Sequence, residues 1–147
     1  MHLELKDKVV LITGPAKGMG EAITRAFAGE GCRLALLARD IAAVASLAES
    51  LRAQSIEILL IRCDITDSAQ CEAAVSAARE AFGTVHVLVN VAGGSGPIGK
   101  TGAETTAEEF DEIVRLNMTG CFNTIRAVLP GMIEQQEIGR ASCRERV

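Results

Sequence analysis

The chain has 147 residues, 48% of them hydrophobic, which suits one domain of ordinary size with a buried core. Its formal net charge of −4 argues against nucleic-acid binding, which needs a basic face. No apolar stretch approaches the ~20 residues of a membrane span, and the charged start (MHLELKDK) does not read as a secretory signal.

Residues 9–12 (VVLI) form a short apolar run rich in β-branched residues, which predicts a buried strand. A glycine-rich loop follows. Ala22, Ile23, Ala26 and Phe27 then recur at helical spacing, and Gly31 stands where a helix end favours a left-handed residue. Residues 34–38 predict a second buried strand. Asp40 is placed to cap a second helix whose apolar stripe is Val44, Leu47, Ala48 and Leu51. Residues 56–63 predict a third strand, and a third helix runs from a cap at Asp67 or Ser68 to Gly83. Residues 85–91 predict a fourth strand. After the flexible stretch AGGSGPIGKTGAET, Thr106 and Glu109 form a candidate capping box. It opens a long helix through Phe110, Ile113 and Leu116 and past Met118.

Apolar strands alternating with amphipathic helices imply a parallel sheet covered on both faces. The expected fold is α/β, a Rossmann-like doubly wound parallel sheet. Right-handed crossovers give the strand order 3-2-1-4. The reversal of direction between strands one and four opens a crevice at their carboxyl ends. Gly14, Gly18 and Gly20, with Lys17 among them, sit where the first strand passes into the first helix. A helix N-terminus offers unpaired N–H groups and a positive dipole end. Bare backbone there lets a dinucleotide pyrophosphate approach.

The spacing is Gly-x-x-x-Gly-x-Gly, neither the usual Gly-x-Gly-x-x-Gly nor a P-loop. TGPAKGMG resembles the phosphate loop of the short-chain dehydrogenase/reductase family. CDIT (63–66) resembles that family's adenine-pocket motif, with Asp64 facing the adenine amino group and the Ile65 backbone nearby. NVAGG (90–94) resembles its Asn-Asn-Ala-Gly strand end, with Val91 in place of the second Asn. FDEIVRLNMTGCFNTIRAVLP (110–130) resembles its fourth helix, where Asn117 matches the catalytic Asn. The resemblance covers about residues 5–136. It implies that Thr13, Gly14, Lys17, Gly18, Met19, Gly20, Arg39, Asp64, Ile65, Asn90, Ala92 and Gly93 bind the cofactor.

NAD-type sites place an acidic residue at the end of the second strand, whereas an arginine nearby accommodates a 2′-phosphate. Here Ala38 occupies that position, Arg39 follows, and Lys17 precedes Gly18. These cations favour NADP(H) over NAD(H), although a shift of one residue would bring Asp40 to the ribose.

The family transfers a hydride between nicotinamide and a carbonyl or alcohol carbon, in 3-oxoacyl reductases and in sugar or alcohol dehydrogenases alike. It uses a tyrosine as acid/base, a lysine that lowers its pKa and a serine that orients the substrate oxygen. In the family these three lie on the fifth strand and helix. The resemblance implies a sheet truncated after the fourth strand and fourth helix, and with no tyrosine in the sequence, Asn117 alone of the family's catalytic set is expected here. Its implied role is to hold, through its main-chain carbonyl, a water in the proton relay to the lysine.

Residues 137–147 (EIGRASCRERV) lack apolar periodicity and are one legal translation of a common sequencing-adapter sequence. They are read as a non-native tail after a dinucleotide-binding domain at 1–136. Truncation leaves the fourth strand with an open edge and the 110–129 helix with an exposed apolar face, so poor solubility and no turnover are expected. The resemblance implies a homodimer or homotetramer for the intact protein.

The five cysteines, at 32, 63, 71, 121 and 143, show neither metal spacing nor a disulfide framework, so a reducing cytoplasm is expected. The alternative reading is a non-catalytic NAD(P)-binding regulator on the same fold. An epimerase or dehydratase of the longer branch, with Gly-x-x-Gly-x-x-Gly, fits less well. So does a methyltransferase, which would carry an acidic residue where Thr13 stands.

Overall fold

Strand β1 (Val9–Thr13) is buried at every position and lies at the centre of the sheet. The computed structural model describes residues 3–135 and 141–143. On one side β1 pairs in parallel with β2 (Arg33–Ala38), which pairs in turn with β3 (Ile58–Arg62). On the other side it pairs with β4 (Val87–Asn90). The order 3-2-1-4 is therefore as the sequence implies.

The alternation of the strands divides the core into two layers. Val10 and Ile12 of β1 and Leu34 and Leu36 of β2 pack against Val44, Leu47 and Leu51 of α2 (Ala42–Arg52), together with Ala28 of α1 (Gly18–Gly29). Val9, Leu11, Ala35 and Leu37 face the other way. They meet Cys71, Ala74 and Ala78 of α3 (Ser68–Phe82), with Val128 and Met132 of α5 (Gly120–Glu134). Burying two faces of one sheet requires apolar residues at successive positions, which is why these strands show no polar alternation.

Local signals set the helix ends. The Asp67 side chain accepts the N–H groups of Ala69 and Gln70 to start α3, and Gly83, at φ +86, ends it. Gly31, at φ +74, follows α1. The capping box forms at α4 (Ala107–Val114), with Thr106 accepting the Glu109 N–H and Glu109 reaching back to the Thr106 N–H. Asp40 lies one residue ahead of the Ile41 cap position, and its Oδ1 accepts the Ala42 N–H at 3.0 Å.

Two features depart from the sequence reading. The long fourth helix is broken by a π turn at Arg115–Thr119, where the Gly120 N–H donates to the Arg115 carbonyl. Helical periodicity carries no mark of one extra residue in a turn. The second departure corrects the expected open edge. β5 (Ala141–Cys143) pairs in parallel with β4, so the sheet order is β3-β2-β1-β4-β5. The sheet thus continues one strand beyond the expected truncation. An unpaired strand edge is a template for any extended segment within reach. Three residues of the tail take that place, in the register Leu88↔Ala141 to Asn90↔Cys143. The remaining residues assigned to that tail lie outside the described residues.

Candidate functional site

The carboxyl ends of β1, β2, β3 and β4 meet along one groove of about 510 Å³. Gly14, Ala16, Lys17, Met19 and Gly20 line it after β1, and Ala38, Arg39 and Asp40 after β2. Cys63 and Ile65 line it after β3, and Val91, Ala92 and Gly93 after β4, with Leu116 of the π turn beside them.

The three loop glycines answer to different constraints. A Cβ on Gly20 would lie 2.0 Å from the Gly14 carbonyl oxygen, and one on Gly14 would lie 2.8 Å from the Ala92 Cα. These two are demanded by the chain's own packing. Gly18 takes φ +56, and nothing lies within 4 Å of its would-be Cβ. It begins α1, whose cap residue Lys17 makes no side-chain capping bond. By contrast, Asp67 and Thr106 cap α3 and α4. Among the described residues no side chain caps the first N–H groups of α1, and the bare backbone at Gly18 lets an acceptor approach them closely. A diphosphate fits this cradle.

Lys17 and Arg39 are both exposed on the groove wall, and neither forms an ion pair among the described residues. Asp40, the alternative ribose contact expected from the sequence, has one carboxylate oxygen committed to the Ala42 N–H. Asp64 closes a tight turn. Its Oδ1 accepts the Thr66 N–H at 2.9 Å and the Thr66 hydroxyl at 2.8 Å. The Thr66 backbone N–H does most to hold the Asp64 carboxyl below the usual carboxylate range. Partial burial opposes it, and the Thr66 hydroxyl, Arg39 and Arg115 add to it. Ile65, the next residue, is the one that lines the groove.

Thr13 and Asn90 stand behind the groove rather than in its wall. The Thr13 hydroxyl oxygen accepts the N–H groups of Val91 at 3.1 Å and Ala92 at 3.2 Å, and it donates to Asn90 Oδ1 at 3.4 Å. The Thr124 hydroxyl lies 2.7 Å from the same Oδ1. All three side chains are buried. Together they set the turn that carries Ala92 and Gly93 into the groove.

Asn117 sits in the π turn. Its Nδ2 donates to the Gly94 carbonyl at 2.8 Å and to the Ile113 carbonyl at 2.9 Å, and its Oδ1 accepts the Gly94 N–H at 3.1 Å. A Cβ on Gly93 would lie 2.6 Å from that Oδ1. The side chain therefore fastens the glycine stretch after β4 to the helix. π turns recur at functional sites, where they displace one residue from regular helix geometry.

The structure brings Gly14, Lys17, Met19, Gly20, Arg39, Ile65, Ala92 and Gly93 into the groove lining. Thr13, Gly18, Asp64, Asn90 and Asn117 adjoin it without lining it. Sequence reasoning did not single out Leu37, Ala43, Cys63 or Leu116, which also line it. Cys63 and Leu116 lie inside quoted motifs but, like Leu37 and Ala43, are apolar positions that look like core in the sequence. Among the described residues no group of His, Cys, Asp and Glu could hold a metal ion. No described helix is long and apolar enough to cross a membrane.

A family model described as short chain dehydrogenase matches residues 8–141. The granaticin polyketide synthase putative ketoacyl reductase 1 of Streptomyces violaceoruber is 39% identical over 121 residues, covering 82% of this chain and 44% of that protein. A short-chain dehydrogenase/reductase from Burkholderia phymatum in complex with NAD superposes with a TM-score of 0.84 at 34% identity, covering 92% of this chain and 47% of the other. An actinorhodin polyketide ketoreductase variant with NADPH gives 0.81 at 35% identity, covering 88% and 49%. The chain spans about half the length of these relatives. With the model matched from the start of β1 to the start of β5, and the sheet and groove arranged as described, the chain belongs to the short-chain dehydrogenase family.

Proposed function

We propose that the groove binds NADP(H) in preference to NAD(H), and that the whole protein is an oxidoreductase interconverting a carbonyl and an alcohol. The observation that carries the preference is the pairing of Lys17 and Arg39 on one groove wall, while the Asp40 carboxylate is engaged at the start of α2. A hydrogen bond to a charged group contributes roughly 1.5–3 kcal/mol. One or two such contacts to a 2′-phosphate give a preference of about ten-fold or more.

When bound, the dinucleotide supplies or accepts the hydride. The residues of this chain bind and orient it. The opening N–H groups of α1 would hold the diphosphate. Lys17 and Arg39 would meet the 2′-phosphate. The Asp64 turn presents Ile65 to the adenine side, and the turn shaped by Thr13 and Asn90 presents Ala92 and Gly93 to the nicotinamide side. Asn117 fixes the glycine stretch beside that end, and its main-chain carbonyl holds a relay water.

The acid/base is a separate matter. An unperturbed phenol has a pKa of about 10, so a tyrosine needs a neighbouring cation to work near neutrality. The 147 residues hold no tyrosine, and the chain as given is accordingly a binder without turnover. Its full-length counterpart acts on a small carbonyl or alcohol substrate in the cytoplasm, as a homodimer or homotetramer.

Calorimetric titration with NADPH and NADH tests the preference. NADPH binds the more tightly, and Arg39→Ala narrows the difference about ten-fold. Equal or tighter binding of NADH by the unaltered chain would remove the assignment.

A further inference from the structure

Asn123 is a buried amide on α5, 8% exposed, next to the buried Thr124 and away from the face of the exposed Phe122 and Leu129. Its Nδ2 donates to the Ile65 carbonyl at 2.9 Å, across 58 positions of sequence. Ile65 is itself a wall of the groove. One turn of helix away, Gly120 faces the same residue, and a Cβ there would lie 2.7 Å from Ile65 Cδ1 and Cγ1. The bare Gly120 backbone thus lets the helix approach closely enough for the Asn123 bond to form.

The other anchors of this turn come from its own half of the molecule. The Cys63 N–H donates to the Ala38 carbonyl on β2, and the Asp64 N–H donates to Gln70 of α3. Cys71 of α3 approaches the Ile65 carbonyl with its thiol at 3.5 Å, a weaker donor at longer range. Asn123 reaches the turn from the helix that follows β4 and the π turn. Removing its amide would leave a buried carbonyl with a thiol as its remaining partner. A buried carbonyl that loses a good partner moves to regain one.

We propose that Asn123 is a positioning residue for the adenine-side wall of the groove, acting through the Ile65 carbonyl, with Gly120 as the clearance that permits it. The inference rests on the reading of the groove as a dinucleotide site. It adds that the helix on the nicotinamide side helps set affinity on the adenine side.

The test uses 2′-AMP as probe, titrated calorimetrically into the chain, with thermal unfolding recorded in parallel. Asn123→Leu keeps the volume and removes the donor. Gly120→Ala leaves Asn123 in place but pushes Ile65. Val128→Ala destabilises the same helix at a buried site of the shared core, more than one turn along from Asn123, and leaves the Asn123 donor and the Gly120 clearance in place. Asn123→Leu and Gly120→Ala are each expected to bind 2′-AMP about ten-fold more weakly, the size of one lost hydrogen bond. Val128→Ala is expected to lower the unfolding temperature and leave that affinity unchanged. Should Asn123→Leu fail to fold, Gly120→Ala decides through the same contact. Undiminished 2′-AMP binding by the folded variants, or an equal loss in Val128→Ala, would overturn the inference alone. No binding by the unaltered chain would overturn the dinucleotide reading and this inference with it.

Discussion

Gly18 and Gly20 stand two positions apart in one loop, and substitution should separate their roles. Gly20→Ala drives a methyl to within 2.0 Å of a backbone oxygen, so the loop itself must give way. A large loss of folding stability is expected, visible in denaturant unfolding. Gly18→Ala meets no atom, and its cost is the left-handed backbone, roughly 1–2 kcal/mol. It should fold and still lose most of its NADPH affinity, because the methyl occupies the approach to the α1 N-terminus. Normal binding by Gly18→Ala would separate that residue from the phosphate cradle.

The same scale holds the clearest pH signature. The folded pKa of Asp64 is depressed, chiefly by the Thr66 N–H. The stability linked to it is fully present above the ordinary carboxylate value of about 3.9 and is lost as pH falls through the lowered folded value. Thr66→Val removes the hydroxyl donor and keeps the N–H. The Asp64 carboxyl should then titrate closer to its ordinary value, as read by carboxyl-carbon NMR. An unchanged titration would show that the hydroxyl contributes nothing.

Sequence reasoning located Asp64 and Asn117 as residues of interest. It could not see that Asp64 spends one oxygen on its own turn, or that the Asn117 amide holds Gly94. Both depend on neighbours placed by the fold.

At the level of elements, strands and caps were the most legible part of the chain. Apolar runs marked β1 and β2 closely because both faces of those strands are buried, so every position carries the signal. The ends of β3 and β4 were less sharp. Residues 56–63 were expected and Ile58–Arg62 form the strand, since Ile56 and Cys63 beyond its ends are packed in the core and carry the same apolar signal. The capping box was readable because Thr106 and Glu109 signal it by local spacing alone. Thr106→Ala should cost about 1 kcal/mol in denaturant unfolding, as loss of a side-chain cap does. No change would mean that α4 draws its stability from packing and from the contact of Lys100 with Glu109. The π turn was not legible because helical periodicity does not mark one extra residue in a turn, and the Asn123 bond because its partner lies 58 positions away.

Over the whole molecule, one face of the α4–α5 helix has no cover among the described residues. Met118, Phe122, Leu129 and Ile133 recur at helical spacing and are 67%, 59%, 45% and 63% exposed, and Phe110 is 59% exposed. Such a stripe on an otherwise charged surface favours association between copies. Phe122→Glu combined with Ile133→Lys should shift the chain toward monomer in sedimentation velocity and leave NADPH binding intact. An unchanged sedimentation profile would contradict an interface on this face. The pairing of β5 with β4 covers the sheet edge that the sequence alone left open, so this helical face becomes the main apolar exposure to explain.

The most direct test is a backbone amide NMR titration of the chain with NADPH. The amides of Gly18, Met19 and Gly20 at the start of α1 should shift first and furthest, with Arg39 and Ile65 following and the far ends of the strands still. Saturable shifts that spare the α1 N-terminus, or no shifts at millimolar NADPH, would contradict a diphosphate seated against that backbone.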